Sequence, residues 1–429
     1  MFFSNLHSQH SFSSSRSIAF CCGYNTNSFL GVHDRDDQNH QHNTNTSSSS
    51  SSDLLSLVHL EALEKEMRDQ GSGSIIQVAT QFSTSYFLTS NHHVYCGDQK
   101  KRLDWPDLLS PDQIIDIKTG QNGALFLTLS GKVYKLEDHP DLAVPFLEQI
   151  PRARMIGASG MCYWMLDEEM VLHGVGDLNS DAIESPLNLK SFLEVDEDVA
   201  ELVTGGNSIC LITTKRNLYV MGEKESFGIS DSISDRFNTL SRLHRFDGIV
   251  NKVSCGWYFT IVLTTDEKLF GAGRNSYGQL NPPNPQHQRQ KSSSPLTIDI
   301  TPWVDMTPHL PPGEYIENIC CGSDHIVIGT NKGKVYTKGM TTYGQIGRPR
   351  NHDVFDLPNY SNPNYEELVK NAVGENYMAR FATNNFNTLS TYVIFVPSLS
   401  KQITYFKDKL KIACSENKLS DLIVVTFDV

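Results

Sequence analysis

The chain has 429 residues, 39% hydrophobic, 10% aromatic and 20% charged, enough apolar material for a large core but with no run of the 18 or more residues needed to span a bilayer. Its 36 basic and 49 acidic side chains give a formal charge of −13, which argues against nucleic acid as a partner over the body as a whole. The nine cysteines form no CxxC pair, so a zinc site is not expected, and they suit buried thiols in a reducing compartment.

From the N terminus, the first 33 residues are Ser-rich with Arg16 and no acid, faintly like an organellar transit peptide, but they include the apolar segment IAFCCGYNTNSFLG, Ile18 to Gly31. Residues 38–74 read as an insertion. Gln38 to Asp53 is too polar to bury a core, and its His40 and His42 are too few to hold a metal. A short helix is expected next: Asp53 can cap it, Leu57, Leu60, Leu63 and Met67 share one face, and Gly71 ends it. Its apolar face suits packing on the rim of the body, with partner binding as the alternative.

Residues 75–397 contain repeats, clearest in two copies. VSCGWYFTIVLTTDEKLFGAGRNSYGQL, ending at Leu280, returns as ICCGSDHIVIGTNKGKVYTKGMTTYGQIG, ending at Gly347. In each, a Gly opens the unit (Gly256, Gly322) and an apolar strand ends in Thr (Thr264, Thr330). A turn, with Gly333 in the second copy, leads to another strand and a Gly at an offset of 17 (Gly273, Gly339). Tyr-Gly-Gln-Leu/Ile closes the unit through Gly278 and Gln279, or Gly344 and Gln345 followed by Gly347. Weaker copies run from Gln81 to Gly97, Gly120 to Leu136, Ser159 to Gly174 and Gly205 to Gly222. A seventh start at Gly374 lacks its closing half, and the segment around Gly23 and Leu30 matches that half. Strands apolar on both faces, such as Thr260 to Leu263, suit burial between neighbouring sheets, and the intervening turn formers suit hairpins. Between the two strong copies, Asn281 to Pro312 carries eight prolines and is expected to project as a long loop.

These units resemble the regulator of chromosome condensation repeat family. The resemblance implies an all-β fold, a β-propeller of seven four-stranded blades, with the strands of residues 17–31 completing the last blade. The early units start only 39, 39 and 46 residues apart, which leaves counts of six and eight open. The glycines then act as blade structure: Gly23, Gly205, Gly222, Gly256, Gly273, Gly278, Gly322, Gly333, Gly339, Gly344 and Gly347, with Gln279 and Gln345. Residues 398–429 form an extension, either a helix and strand on the propeller or the opening of a segment resembling a BTB/POZ domain.

No catalytic constellation is present: there is no Gly-x-Ser-x-Gly elbow, no Walker loop and no His-Glu-x-x-His. Adjacent Glu168 and Glu169 would point to opposite faces of a strand and cannot work as an acid/base pair; a hairpin tip suits them better. His325 fits a hydrogen-bonded blade residue. We expect no enzyme activity, no catalytic residue, no cofactor and no metal. The resemblance implies a cytoplasmic or nuclear scaffold that binds a protein, either a small GTPase or a ubiquitin-pathway component. Guanine-nucleotide exchange on a Ran-like GTPase, the founding member's activity, is the alternative. The founder's basic tail has no counterpart here, since residues 1–50 set Arg16 and Arg35 against Asp34, Asp36 and Asp37.

Overall fold

The computed structural model describes residues 18–23, 54–81, 84–97, 101–103, 112–121, 123–136, 143–145, 152–160, 162–176, 186–229, 236–280, 300–340, 377–383 and 390–397. Their strands form seven antiparallel sheets, six of four strands and one of three. Sheet I begins at Ile75–Thr80, sheet II at Ile114–Gly120, sheet III at Ala153–Ala158, sheet IV at Val199–Thr204, sheet V at Val250–Cys255 and sheet VI at Ile316–Cys321. Sheet VII takes its first two strands, Tyr377–Thr383 and Ser390–Pro397, from one end of the chain and its last two, Ile18–Gly23 and Leu54–His59, from the other. Ile18 faces Phe395 and Gly23 faces Ser390, the place that Gly273 holds opposite Phe259 in sheet V.

Sheets neighbouring in sequence touch through their first strands, from I to VII in order. The second strands, Ser85–Thr89, Gly123–Thr128, Cys162–Asp167, Ser208–Thr213, Phe259–Thr264 and His325–Thr330, are buried at every residue. A strand covered on both faces must be apolar on both, and this explains runs such as Ile261-Val262-Leu263. The core is divided accordingly, each cluster joining two sheets. Trp164 and Leu166 pack with Ile209 and Leu211 between III and IV, and Phe259 and Ile261 pack with Ile326 and Ile328 between V and VI.

Two local devices recur. Every first strand carries an irregularity: at its second residue in sheets I to VI, between Ile75 and Gln77, Ile114 and Asp116, Ala153 and Met155, Val199 and Glu201, Val250 and Lys252, and Ile316 and Asn318, and at its fourth in sheet VII, between Ala379 and Phe381. Such bulges increase local twist and re-aim side chains. The hairpin between second and third strands places one residue in the left-handed region, with φ of 61° at His92, 84° at Gly131, 71° at Met170, 61° at Arg216, 64° at Glu267 and 74° at Gly333. Only two of these are glycine, so the hairpin imposes the conformation on the rest. The strand-ending threonine braces it: the hydroxyls of Thr89, Thr128, Thr213, Thr264 and Thr330 accept the amides of His93, Lys132, Asn217, Lys268 and Lys334 at 3.0–3.3 Å. In sheet III, Asp167 substitutes, its Oδ1 accepting the Val171 amide at 2.8 Å.

Three expectations change. The helix does not start at Asp53: Leu54–His59 is a strand paired with Ile18–Gly23, and the helix, α1, spans only Glu61–Asp69 without a side-chain cap. The tertiary need to cover that strand edge overrides local helical spacing. Leu60, Leu63 and Met67 are buried, but Leu57 belongs to the strand. The Asn281 to Pro312 segment is not all loop, because Ile300–Asp305 forms the outer strand of sheet V. Pro302 falls at its bulge, between the Gly273–Thr301 and Gly271–Val304 pairs, where an outer strand tolerates a missing amide. In the third unit, the glycine facing the start of the second strand is Gly176, paired with Cys162, rather than Gly174; the offset from Ser159 is again 17. Leu30, Gly344, Gln345, Gly347, Gly374 and residues 398–429 lie outside the described residues.

Candidate functional site

The turns between first and second strands meet on one face, where backbone hydrogen bonds run from sheet to sheet. Gln81 donates from its side chain to the Gln121 carbonyl at 3.1 Å. The Gln121 amide then donates to Gly160 O at 2.8 Å, Gly160 to Gly206 at 2.7 Å, Gly206 to Gly256 at 3.2 Å, and Trp257 to Ser323 at 3.0 Å. Contact this close excludes side chains: a Cβ on Gly160 would stand 2.8 Å from Gly206 O, and one on Gly206 2.5 Å from Trp257 O.

The signature glycines build these turns. Phe259 folds over Gly256 and His325 over Gly322, so that a Cβ on either glycine would lie 2.0 Å from the ring. At Gly205 the same place is taken by Ser208 Oγ, 2.5 Å away. The partner glycine 17 residues on has φ of 113° at Gly222 and Gly273 and 118° at Gly339. There the next residue's amide returns to the turn, from Glu223 to Asn207 O, Arg274 to Tyr258 O and Met340 to Asp324 O, each at 2.9 Å. The spacing is therefore the length of hairpin needed to bring the third strand back beside the first turn. Gly278 has φ of 68°, and the buried Gln279 clamps its loop by donating to Arg274 O at 2.8 Å and accepting the Tyr277 amide at 3.1 Å. Gly333 sits in the hairpin at the other end, and Gly23 faces Ser390.

On the stitched face, sheet V presents an aromatic and cationic cluster. The Arg274 guanidinium stacks 3.9 Å from the Tyr258 ring centre, Trp257 meets Tyr258 edge to face at 6.2 Å, and Tyr277 in the adjoining loop is 38% exposed. Arg274 approaches Glu225 at only 3.9 Å, and its Nε makes no hydrogen bond among the described residues. Burial raises the Asp324 carboxyl above the usual range, against the pull of the Ser323 hydroxyl and Arg274. Tyr, Trp and Arg are the residues over-represented at energetic centres of protein interfaces.

The bulge residues form a second polar set near the first strands. Gln77 donates to Asp116 at 2.7 Å and Lys252 to Asn318 at 2.7 Å, while burial lowers the pKa of the Lys252 ammonium. Glu168 and Glu169 are exposed in a hairpin. His325 is fully buried, and burial lowers its pKa to about 3, so it is a neutral blade residue. Among the described residues no three His, Cys, Asp or Glu are placed to hold a metal ion, and no helix is long and apolar enough to cross a membrane.

Sequence reasoning missed a buried carboxylate two residues before a first strand. Glu197 accepts from Thr213, from Asn217 at 2.8 Å, from Tyr219 at 3.1 Å and from the Glu194 amide at 2.9 Å. Glu314 accepts likewise from Thr330 at 2.9 Å and Tyr336 at 3.1 Å. The signal was available: an acid two residues ahead of the strand, a Thr ending the next, and a Tyr as second residue of the third.

The model of the Regulator of chromosome condensation (RCC1) repeat matches residues 250–279. The chain is 29% identical over 101 residues to the Arabidopsis thaliana ultraviolet-B receptor UVR8, covering 24% of this chain and 20% of that protein. It is 25% identical over 171 residues to the rat probable E3 ubiquitin-protein ligase HERC4, covering 39% and 15%. The aligned regions are thus at most about a fifth of these relatives' lengths. Among solved structures, Prp20p from Saccharomyces cerevisiae, described with its binding to Gsp1p and histones, superposes with a TM-score of 0.67 at 15% identity, covering 94% of this chain and 97% of that one. At that identity the likeness is one of fold.

Proposed function

We propose that this chain, a repeat protein of the regulator of chromosome condensation (RCC1) type, is a non-enzymatic scaffold that binds a protein partner on the stitched loop face of a seven-bladed propeller. Closure by sheet VII is supported by the pairing of Ile18–Gly23 with Ser390–Pro397 and by contact between Tyr377–Thr383 and Ile75–Thr80. Residues 75–397 would then be the propeller body, Ile18–Gly23 and Leu54–His59 its closing strands, α1 a helix between those strands and the body, and 398–429 an extension. Function rests on the Trp257–Tyr258–Arg274–Tyr277 cluster: stacked rings and a guanidinium, held on a backbone whose turns are tied to their neighbours. Such a surface loses little conformational entropy on binding. The buried free thiols of the described cysteines agree with a cytoplasmic or nuclear location.

The partner would be a small GTPase or a ubiquitin-pathway component, classes suggested by the fold of Prp20p and by the HERC4 relative. Exchange-factor activity on a Ran-like GTPase is the second reading, favoured by the fold shared with Prp20p. Pull-down with the intact chain, compared with a Trp257→Ala/Arg274→Ala chain, tests the site. The co-purifying protein should be lost from the variant while melting is unchanged. Equal recovery by both chains places binding elsewhere.

A further inference from the structure

Between the first strands of sheets I to VI lies a cavity of about 200 Å³, whose lining includes Lys118, Thr204, Ser254, Cys255 and Cys321. The cavity is partly open to solvent, and the Lys118 side chain on its lining is 35% exposed. Cys255 ends the first strand of sheet V, and the Cys210 sulfur, on the second strand of sheet IV, is 3.6 Å from its own. Both residues are buried, at 3% and 0% exposure. The Thr260 hydroxyl donates to the Cys255 sulfur at 3.7 Å. Two thiols in contact across adjacent sheets, one of them lining an accessible cavity, form an arrangement that packing alone does not require.

We propose that Cys255 and Cys210 are a peroxide-sensitive pair, in which Cys255 is oxidised from the cavity and Cys210 resolves it to a disulfide joining sheets IV and V. The Cys255 sulfur attacks one oxygen of a hydroperoxide and the O–O bond breaks. The leaving oxygen takes the thiol proton and departs as water or alcohol, leaving a sulfenic acid on Cys255. The Cys210 sulfur then attacks that sulfenic sulfur, the S–O bond breaks, and the released hydroxide takes the Cys210 proton to give water. Two thiols are oxidised by two electrons and the peroxide is reduced. Of the two residues Cys255 lines the cavity and Cys210 does not, which assigns the first attack to Cys255. An S–S bond of about 2 Å requires the sulfurs to close by about 1.5 Å from their 3.6 Å separation.

The test treats the intact chain with hydrogen peroxide, alkylates remaining thiols and maps peptides without reduction. A linked pair carrying Cys210 and Cys255 should form about tenfold faster than the buried Cys162 loses its free thiol. In a Cys210→Ser chain, Cys255 should accumulate a sulfenic acid trapped by dimedone, and in a Cys255→Ser chain Cys210 should stay reduced. The wild-type map needs neither variant to fold. Loss of both thiols no faster than that of Cys162, or linkage of Cys255 to Cys321 instead, overturns the proposal.

Discussion

The Gly160 amide donates to the Gly206 carbonyl at 2.7 Å, joining the first turns of sheets III and IV backbone to backbone. That contact is one link in the series from Gln81 to Ser323, and it exists only because neither residue carries a Cβ. The repeat glycines therefore hold sheets to one another as well as shaping single turns.

Gly206→Ala should cost about 2 kcal/mol or more, because the new methyl meets the Trp257 carbonyl, which cannot move without breaking the neighbouring turn. Gly256→Val should cost at least as much by driving the Phe259 ring from its place. Gly248→Ala is the control: φ is 71° with nothing within 4 Å, so only backbone strain of about 1 kcal/mol is expected. Denaturant unfolding of the three variants checks the order. Equal losses at Gly206 and Gly248 would show that sheet-to-sheet contact is not what selects glycine.

Stability should fall with acid through His325. Its folded pKa of about 3 lies below the ordinary 6.5, so between these values the unfolded chain binds a proton that the folded one does not. Stability is then greatest above pH 6.5 and declines towards pH 3, by at most about 1.4 kcal/mol per pH unit from this group. His325→Phe, which installs the residue that sheet V already uses at Phe259, should flatten that limb. An unaltered pH dependence in the variant would contradict the assignment.

Deleting residues 1–33 removes the strand between Leu54–His59 and Ser390–Pro397 and exposes edges on both. A drop in melting temperature of roughly 10 °C or more, with aggregation, is expected. Excising only residues 39–51 should be nearly neutral. Unchanged melting of the longer deletion would reject closure through the N terminus.

The purified chain should not accelerate release of labelled GDP from Ran or related small GTPases. An exchange factor must bind the nucleotide-free GTPase more tightly than the loaded form, whereas a scaffold has no such requirement. Many-fold faster release with micromolar chain would replace the scaffold reading by the exchange one.

Sequence alone determined the period of this protein. Most hairpins make the same local demands: a glycine where the chain turns, a threonine to brace the next turn, and a second glycine where the third strand returns. Local demands leave local marks, so Gly256 with Gly273 and Gly322 with Gly339 were legible as pairs. The third unit was harder to read because Ser159 replaces the first glycine and Gly174 lies close to Gly176; only strand register, Cys162 opposite Gly176, distinguishes them. Tertiary structure decided what depends on residues distant in the chain. Leu54–His59 is a strand because an edge formed by Ile18–Gly23 awaits it, a fact no window around Leu57 contains. The stacking of Arg274 on Tyr258, and the meeting of Cys210 with Cys255, follow from turns and sheets brought together by packing. Periodicity records what a segment does to itself; those contacts arise only when one sheet is laid against the next.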